Sequence, residues 1–331
     1  MRININSAVE LDYTEVGFGH AISNIYQSLA NLGHTVSVND KTAPLQFHWM
    51  QPDLCQPIGH AYNILYFPWE STKLRTAWKD MCNRPLLDEI WTTTPWCRDI
   101  LVAEGIEKKE PIKVFQHGIS SEWSPKYRTR RGPLKFLIVD AEANRKGWQE
   151  AFDAFRTVFQ DDPTKATLTI KTRQHSRVRW FDEMNRVHSP QELANVNVVV
   201  GRISNEEMVQ MYQNHDVFLG PSYGEGFGFL PFQMLATGGP TICTREWAPY
   251  AHYLGDLALD STYGETKWQG EHPGLVCYPD QRHLEELIRF VYDDFENQAD
   301  QFFSRSFDLH AEYDWNKLTK NAFENVVSRF E

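Results

Sequence analysis

The chain has 331 residues, 41% of them hydrophobic and 23% charged, with a formal charge of −11. That length points to two domains of ordinary globular composition, and the acidic balance argues against a protein coated for nucleic acid or anionic membrane. No apolar run approaches the roughly eighteen residues of a membrane span; "MRININSAVELDYTEVG" has no signal-peptide pattern, and the five scattered cysteines form no CxxC pair and read as the reduced thiols of a cytoplasmic protein rather than a zinc site.

Short apolar runs alternate with amphipathic segments along the chain, the pattern of α/β layering around parallel sheets. "INI" reads as the first strand and leads through the Gly-containing "EVGFGH" to "AISNIYQSLANLG", where Ile22, Ile25, Tyr26 and Leu29 share one helical face and Gly33 is the stop. "HTVSV", "YNILYF" and "EIWTTT" follow as strands, "PWCRDILVAEG" as a helix begun by proline, and "IKVFQHG" as a strand ending in a turn. The polar, proline-bounded "ISSEWSPKYRTRRGP" is the expected linker region. A second α/β run then starts at "LKFLIVD". It continues through a helix over 147–160, the strands "ATLTIKT" and "VNVVVG", a helix over 205–214 with a capping box at Ser204 and Glu207, and the strands "DVFLGPS" and "PTICT". The closing "YDWNKLTKNAFENVVSRF" is an amphipathic helix. The expected division is 1–125, a linker at 126–133, 134–305, and a C-terminal helix over 306–331 that can cross back to the first domain. Ligands of such sheets sit at the carboxyl ends of the strands.

The most informative stretch is "YGEGFGFLPFQMLATGGP", residues 223–240. Pro221-Ser222 ends a strand, and Pro231 suits the first turn of a helix, with Gln233 expected in that turn. A glycine-rich loop before a helix N-terminus suits an anion such as a diphosphate. Glu225 then has a different task, accepting hydrogen bonds from sugar hydroxyls; a plain turn with a solvated carboxylate is the alternative. Charge elsewhere is uneven. "KYRTRR" (126–131) and "KTRQHSRVR" (171–179) concentrate basic side chains, while 280–331 is acidic. One or two of Lys171, Arg173, His175, Arg177 and Arg179 can hold a donor diphosphate with the rest solvated, or all of them, with the 126–131 stretch, can hold a polyanionic acceptor such as DNA.

"PSYGEGFGFLPFQMLATGGPTI" resembles the signature of the GT-B glycosyltransferases, in particular the retaining family four (glycosyl transferases group 1). The resemblance implies two Rossmann-like α/β domains facing across a cleft. It also implies transfer of a sugar from a nucleotide-diphosphate sugar to an acceptor hydroxyl, retaining and without metal; no Asp-x-Asp motif is present. By the same resemblance Glu225 is the sugar ligand, and Gln233 stands where the family has a second acid that binds ribose. Gly226, Phe227, Gly228 and Phe229 complete the donor loop. "VGFGHAISNIYQSLANLGHTVSV" resembles the family's first Gly-rich loop, with Gly17, Phe18 and Gly19 near the donor phosphate. "FLIVDAEANRKGWQEAFDAF" resembles its Gly-Arg … Arg-Lys-Gly segment, with Arg145 and Lys146 matched and Asp140-Ala141 in place of Gly-Arg, so that Lys171 or Arg173 is expected to compensate. "NILYFPWESTKL", "DEIWTTTPWCRDIL", "VFQHGIS" and "YDWNKL" resemble further family segments.

Arg145 and Lys146 are expected to stabilise the diphosphate leaving group, although an Arg-Lys pair on a surface helix is commonly just solvated. Ile203 is expected to contact the nucleotide base. Glu70 is a further catalytic candidate, expected to contact the acceptor or the reacting sugar; on the acceptor side the candidates are His20, His48 and His117, each histidine having a structural reading as well. Trp69 and Trp78 are read first as core and second as sugar-stacking faces. No cofactor is expected beyond the nucleotide sugar as substrate, UDP-sugar favoured, with a glycan or small molecule as acceptor ahead of DNA. The rivals are another GT-B enzyme, such as an epimerase or phosphorylase, and a catalytically inactive GT-B-fold protein that binds nucleotide or sugar.

Overall fold

A computed structural model describes residues 1–9, 17–139, 144–172 and 193–330. The N-terminal half contains β1 (Arg2–Ser7), α1 (Gly17–Asn31), β2 (Thr35–Val38), β3 (Leu45–Trp49), β4 (Tyr62–Tyr66), α2 (Thr76–Cys82), β5 (Glu89–Thr92), α3 (Pro95–Ala103) and β6 (Lys113–Val114). Its six strands form one sheet in the order β2-β1-β3-β4-β5-β6, and each pairing is parallel. The sheet carries apolar residues on both faces, as a buried parallel sheet must. Ile3, Ile5, Phe47 and Tyr66 pack with α1, while Leu65, Phe67 and Ile90 pack with Trp78 of α2 and Leu101 of α3.

The second half contains β7 (Leu134–Val139), α4 (Trp148–Phe159), β8 (Ala166–Thr172), β9 (Val196–Val200), α5 (Asn205–Gln213), β10 (Val217–Gly220), α6 (Phe229–Ala236), β11 (Thr241–Thr244), α7 (Ala251–Leu254) and β12 (Ala258–Leu259). A hairpin of β13 (Ser261–Glu265) and β14 (Leu275–Pro279) follows, then α8 (Gln281–Asp293), α9 (Phe295–Glu312) and α10 (Trp315–Val327). The second sheet has the order β12-β11-β10-β7-β8-β9 and is also parallel throughout. The expected capping box on α5 forms, Ser204 and Glu207 each satisfying the other's backbone N–H. Residues 305 and 306, the expected boundary, fall inside α9. Beyond it, α10 lays Trp315, Phe323 and Val326 into the core of the first sheet.

Both sheets have a switch point, where consecutive strands depart to opposite sides and leave a crevice at their carboxyl ends. In the first sheet it lies between β1 and β3; in the second, between β7 and β10. The segments that emerge there are residues 8–9 and 50–54 from one sheet, and 144–147 and 221–230 from the other.

The 126–131 stretch is a correction. Arg128 is 5% exposed, and its guanidinium donates to the carbonyls of Lys126, Tyr212, His215 and Thr237. Arg130 stacks on Tyr292 and donates to its carbonyl. Two of the basic side chains expected to offer a surface to polyanions are thus used to fasten this segment to the second half. Arg173, His175, Arg177 and Arg179 lie outside the described residues, as do Asp140 and Ala141.

Candidate active site

A cavity of about 560 Å³ opens between the two switch points. Its charged side chains among the described residues are Glu70, Arg145, Lys146 and Glu225, drawn from loops far apart in sequence.

Arg145 and Lys146 end a short 3-10 turn after β7. Gly147 follows at φ 66°, and a Cβ there would stand 1.9 Å from the Pro221 carbonyl oxygen. Only glycine lets the two segments approach this closely. The Tyr223 N–H donates to the Arg145 carbonyl at 2.8 Å, so the basic pair is pinned beside the 221–225 segment. Glu225, 5% exposed, receives Lys146 Nζ on Oε1 at 2.7 Å and Arg145 Nη1 on Oε2 at 2.9 Å. Burial acts to raise its pKa, but Lys146 and Arg145 together outweigh it and hold the carboxyl at about 2. Arg145 also donates to the Gly224 carbonyl at 2.8 Å, and its Nη2 stands 3.4 Å from Glu70 Oε1. Glu70 moves the other way: burial raises its pKa more than Arg145 lowers it, with Glu225 adding to the rise. Two carboxylates thus face two cations, and Glu225 holds the larger share of both.

The glycines have a use the sequence reading did not assign. A Cβ on Gly224 would lie 2.1 Å from the Glu70 carbonyl oxygen, and one on Gly226 would lie 2.1 Å from Pro68 Cβ. The Gly226 carbonyl accepts a hydrogen bond from Thr93 Oγ1. Gly224 and Gly226 therefore admit the Pro68–Glu70 backbone of the other half, where the sequence reading had them admitting the diphosphate. Gly228, at φ 81°, is closed by Trp247 and by Tyr250, whose hydroxyl donates to the Gly228 carbonyl at 2.6 Å.

The helix after this loop starts at Phe229, two residues before Pro231. Gln233 is accordingly in the second turn, not the first, buried at 8% exposure and outside the cavity's lining residues. Gly17, Phe18 and Gly19, expected as loop, are helical; Gly17 and Phe18 line the cavity together with Gly226, Phe227, Gly228 and Phe229. His117 lines it too, its ring stacked on Phe229 with centroids 4.7 Å apart. Burial holds its pKa well below the ordinary value, with His20 adding to the effect. His20 lies behind the wall, edge-on to Phe229, its pKa lowered to about 4 by burial.

The remaining candidates lie elsewhere. His48 is buried in β3 with its Nε2 3.1 Å from Asn63 Oδ1, a structural contact. Lys171 is the penultimate residue of β8, with its ammonium on the carbonyls of Thr172 and Gly201. Ile203 is half-buried just before the α5 cap. Neither lines the cavity. Trp69 and Trp78 are core residues, 1% and 4% exposed.

Sequence reasoning missed the hairpin arm. The chain between β13 and β14 reaches the 70–75 loop: Leu275 and Thr72 exchange hydrogen bonds of 2.7 and 3.0 Å, and Arg75 donates to the Glu271 carbonyl at 3.0 Å. This places His272 Nδ1 3.8 Å from Glu70 Oε2. No local motif marks His272; only the hairpin's docking brings it near. Among the described residues no group of three or more His, Cys, Asp or Glu side chains gathers to hold a metal ion, and no helix is long and apolar enough to cross a membrane.

Comparison with known proteins fits this geometry. Residues 120–300 match the family model described as glycosyl transferases group 1. Over 186 residues the chain is 26% identical to the glycogen synthase of Mycobacterium tuberculosis (strain CDC 1551 / Oshkosh), covering 55% of this chain and 40% of that protein. The chain thus spans less than half the length of the curated relatives it matches. The fold is similar to that of Anabaena Alr3699/HepE, solved with UDP and glucose, at TM-score 0.71 and 12% identity over 99% of this chain and 100% of that one. It is also similar to sucrose-phosphate synthase of Thermosynechococcus elongatus, at TM-score 0.68 and 12% identity over 100% and 99%. These likenesses identify the paired six-stranded parallel sheets as the GT-B fold. With its family model matched over more than half its length, the chain belongs to the glycosyl transferases group 1 family.

Proposed function

We propose that the protein transfers a sugar from a nucleotide-diphosphate sugar to an acceptor hydroxyl, with retention at the anomeric carbon and without a metal ion. The observation that carries the reading is the arrangement of Arg145 and Lys146 around Glu225, at a cavity between the two switch points. In the transfer, the bond from the anomeric carbon to the diphosphate oxygen breaks and a bond to the acceptor oxygen forms on the same face. The acceptor's proton leaves on the departing diphosphate, so no side-chain base is needed. Negative charge grows on the leaving oxygens, and two cations already fixed by Glu225 meet it without reorganising. Glu225 keeps lone pairs to accept hydrogen bonds from sugar hydroxyls, and Glu70 shares Arg145 with it at the same charged end.

UDP-sugars are the favoured donors. Anabaena Alr3699/HepE was solved with UDP and glucose, and the pneumococcal O-GlcNAc transferase GtfA with UDP and GlcNAc. The test is Lys146→Ala. Losing one preorganised donor at the developing charge costs roughly 10²–10³ in kcat. A variant with unchanged turnover of its nucleotide sugar would remove Lys146 from the chemistry. If neither wild type nor variant turns over any donor yet both bind nucleoside diphosphate, the inactive binding protein is the better reading.

A further inference from the structure

The cavity is segregated. Among the described residues its four charged side chains touch one another, whereas the rest of the described lining is apolar apart from Gln51 and His117. Trp49 pairs in register with Ser7, which sets Ala8 and Val9 beside it. Phe18 lies 4.5 Å from the Trp49 ring, and the Trp49 Nε1–H is spent on the Phe18 carbonyl at 2.8 Å. Leu54, 54% exposed, stands at the rim of the same wall. His117 extends the wall as an aromatic face: it stacks on Phe229 and lies 5.5 Å from Trp49. Burial keeps its ring neutral.

A polyhydroxylated sugar laid on this wall would give up its water and find few partners for its hydroxyls among the described side chains, a cost that stacking on rings does not remove. An apolar body suffers no such loss. We propose that the acceptor is an alcohol whose single attacking hydroxyl is carried on an aliphatic or aromatic body, and that the wall of Val9, Phe18, Trp49, Leu54, Phe229 and Leu230 binds that body. This rests on the transfer reading and narrows it. The wall holds the body while its hydroxyl points to the charged end, where its oxygen takes the sugar and its proton departs with the nucleoside diphosphate.

The experiment compares acceptors in the wild-type protein. Nucleotide release from the preferred donor is followed with 1-alkanols from butanol to octanol, with phenethyl alcohol, with maltotriose and with hydroxymethylcytosine-containing DNA. Each methylene buried should raise kcat/KM roughly fourfold until the cavity is filled, and Leu54→Asp should flatten that slope. A flat series, or faster release with maltotriose or DNA than with every alcohol, overturns the proposal. If no donor is turned over at all, the transfer reading has failed instead. Equilibrium binding of octanol to wild type and Leu54→Asp then decides the apolar site alone: affinity that rises with chain length and falls in the variant supports it, and no binding sinks it.

Discussion

Replacing Glu225 by Gln separates two roles that a simple loss of activity would confuse. The carboxyl titrates at about 2 in the fold against an ordinary 4.5, which corresponds to roughly 3 kcal/mol of folding stability. Because the folded value is the lower one, this stability is fully present above pH 4.5 and is lost as pH falls through 4.5 toward 2. Glu225→Gln should therefore unfold at lower urea than wild type at pH 7, by roughly 3 kcal/mol, and the gap should narrow steadily below pH 4.5. Ligand binding should move the opposite way. Lys146 Nζ lies 2.7 Å from Oε1, so a phosphate oxygen on the same ammonium stands about 5 Å from the carboxylate. At an effective dielectric of 20 their repulsion is about 3 kcal/mol. Part of its relief is offset because Arg145 and Lys146 lose the group that orients them. Nucleoside diphosphate should then bind about tenfold more tightly, while sugar transfer falls by roughly 10²–10³ for want of the hydroxyl ligand. Titration calorimetry with UDP and a nucleotide-release assay read the two effects. Weaker diphosphate binding with intact turnover would refute the reasoning.

Other substitutions probe the frame around the site. Gly226→Ala puts a methyl 2.1 Å from Pro68 Cβ; the two halves must part locally, at a cost of about 1–3 kcal/mol by urea unfolding, and an unchanged midpoint would show that the contact gives way freely. His20 titrates at about 4 in the fold against 6.5 unfolded, so the unfolded chain takes its proton first and stability drops as pH falls from 6.5 to 4; His20→Leu should remove roughly 3 kcal/mol of that acid loss, seen as a flatter stability curve over this window. Arg128→Met strands four carbonyls, two of them in buried hydrogen bonds and two in part-buried ones, and should cost about 3–5 kcal/mol by chemical denaturation, whereas an exposed basic surface residue would cost almost nothing.

The parallel sheets were legible because their strands are short apolar runs between amphipathic segments. The Ser204 cap was legible because its chemistry is local. β3 was passed over: "LQFHW" is short and mixes Gln46 and His48 into a strand that the fold buries completely. The meeting of Glu225 with Arg145 and Lys146 could be anticipated only through family resemblance, since nothing within 80 residues of chain links them. What the sequence hid depends on contacts between distant segments. Gly224 and Gly226 look like a phosphate loop until the Pro68–Glu70 backbone is seen against them, and Arg128 looks like solvent-facing charge until four carbonyls are found around it. His272 carries no signal at all without the hairpin that delivers it.

The most direct measurement is nucleotide release from UDP-, GDP-, ADP- and dTDP-sugars, each alone and with an acceptor, with the product identified by mass. Release from one donor that rises with an acceptor, together with a glycosylated product, is the result the account predicts. Nucleoside diphosphate binding without release or product from any donor would contradict it.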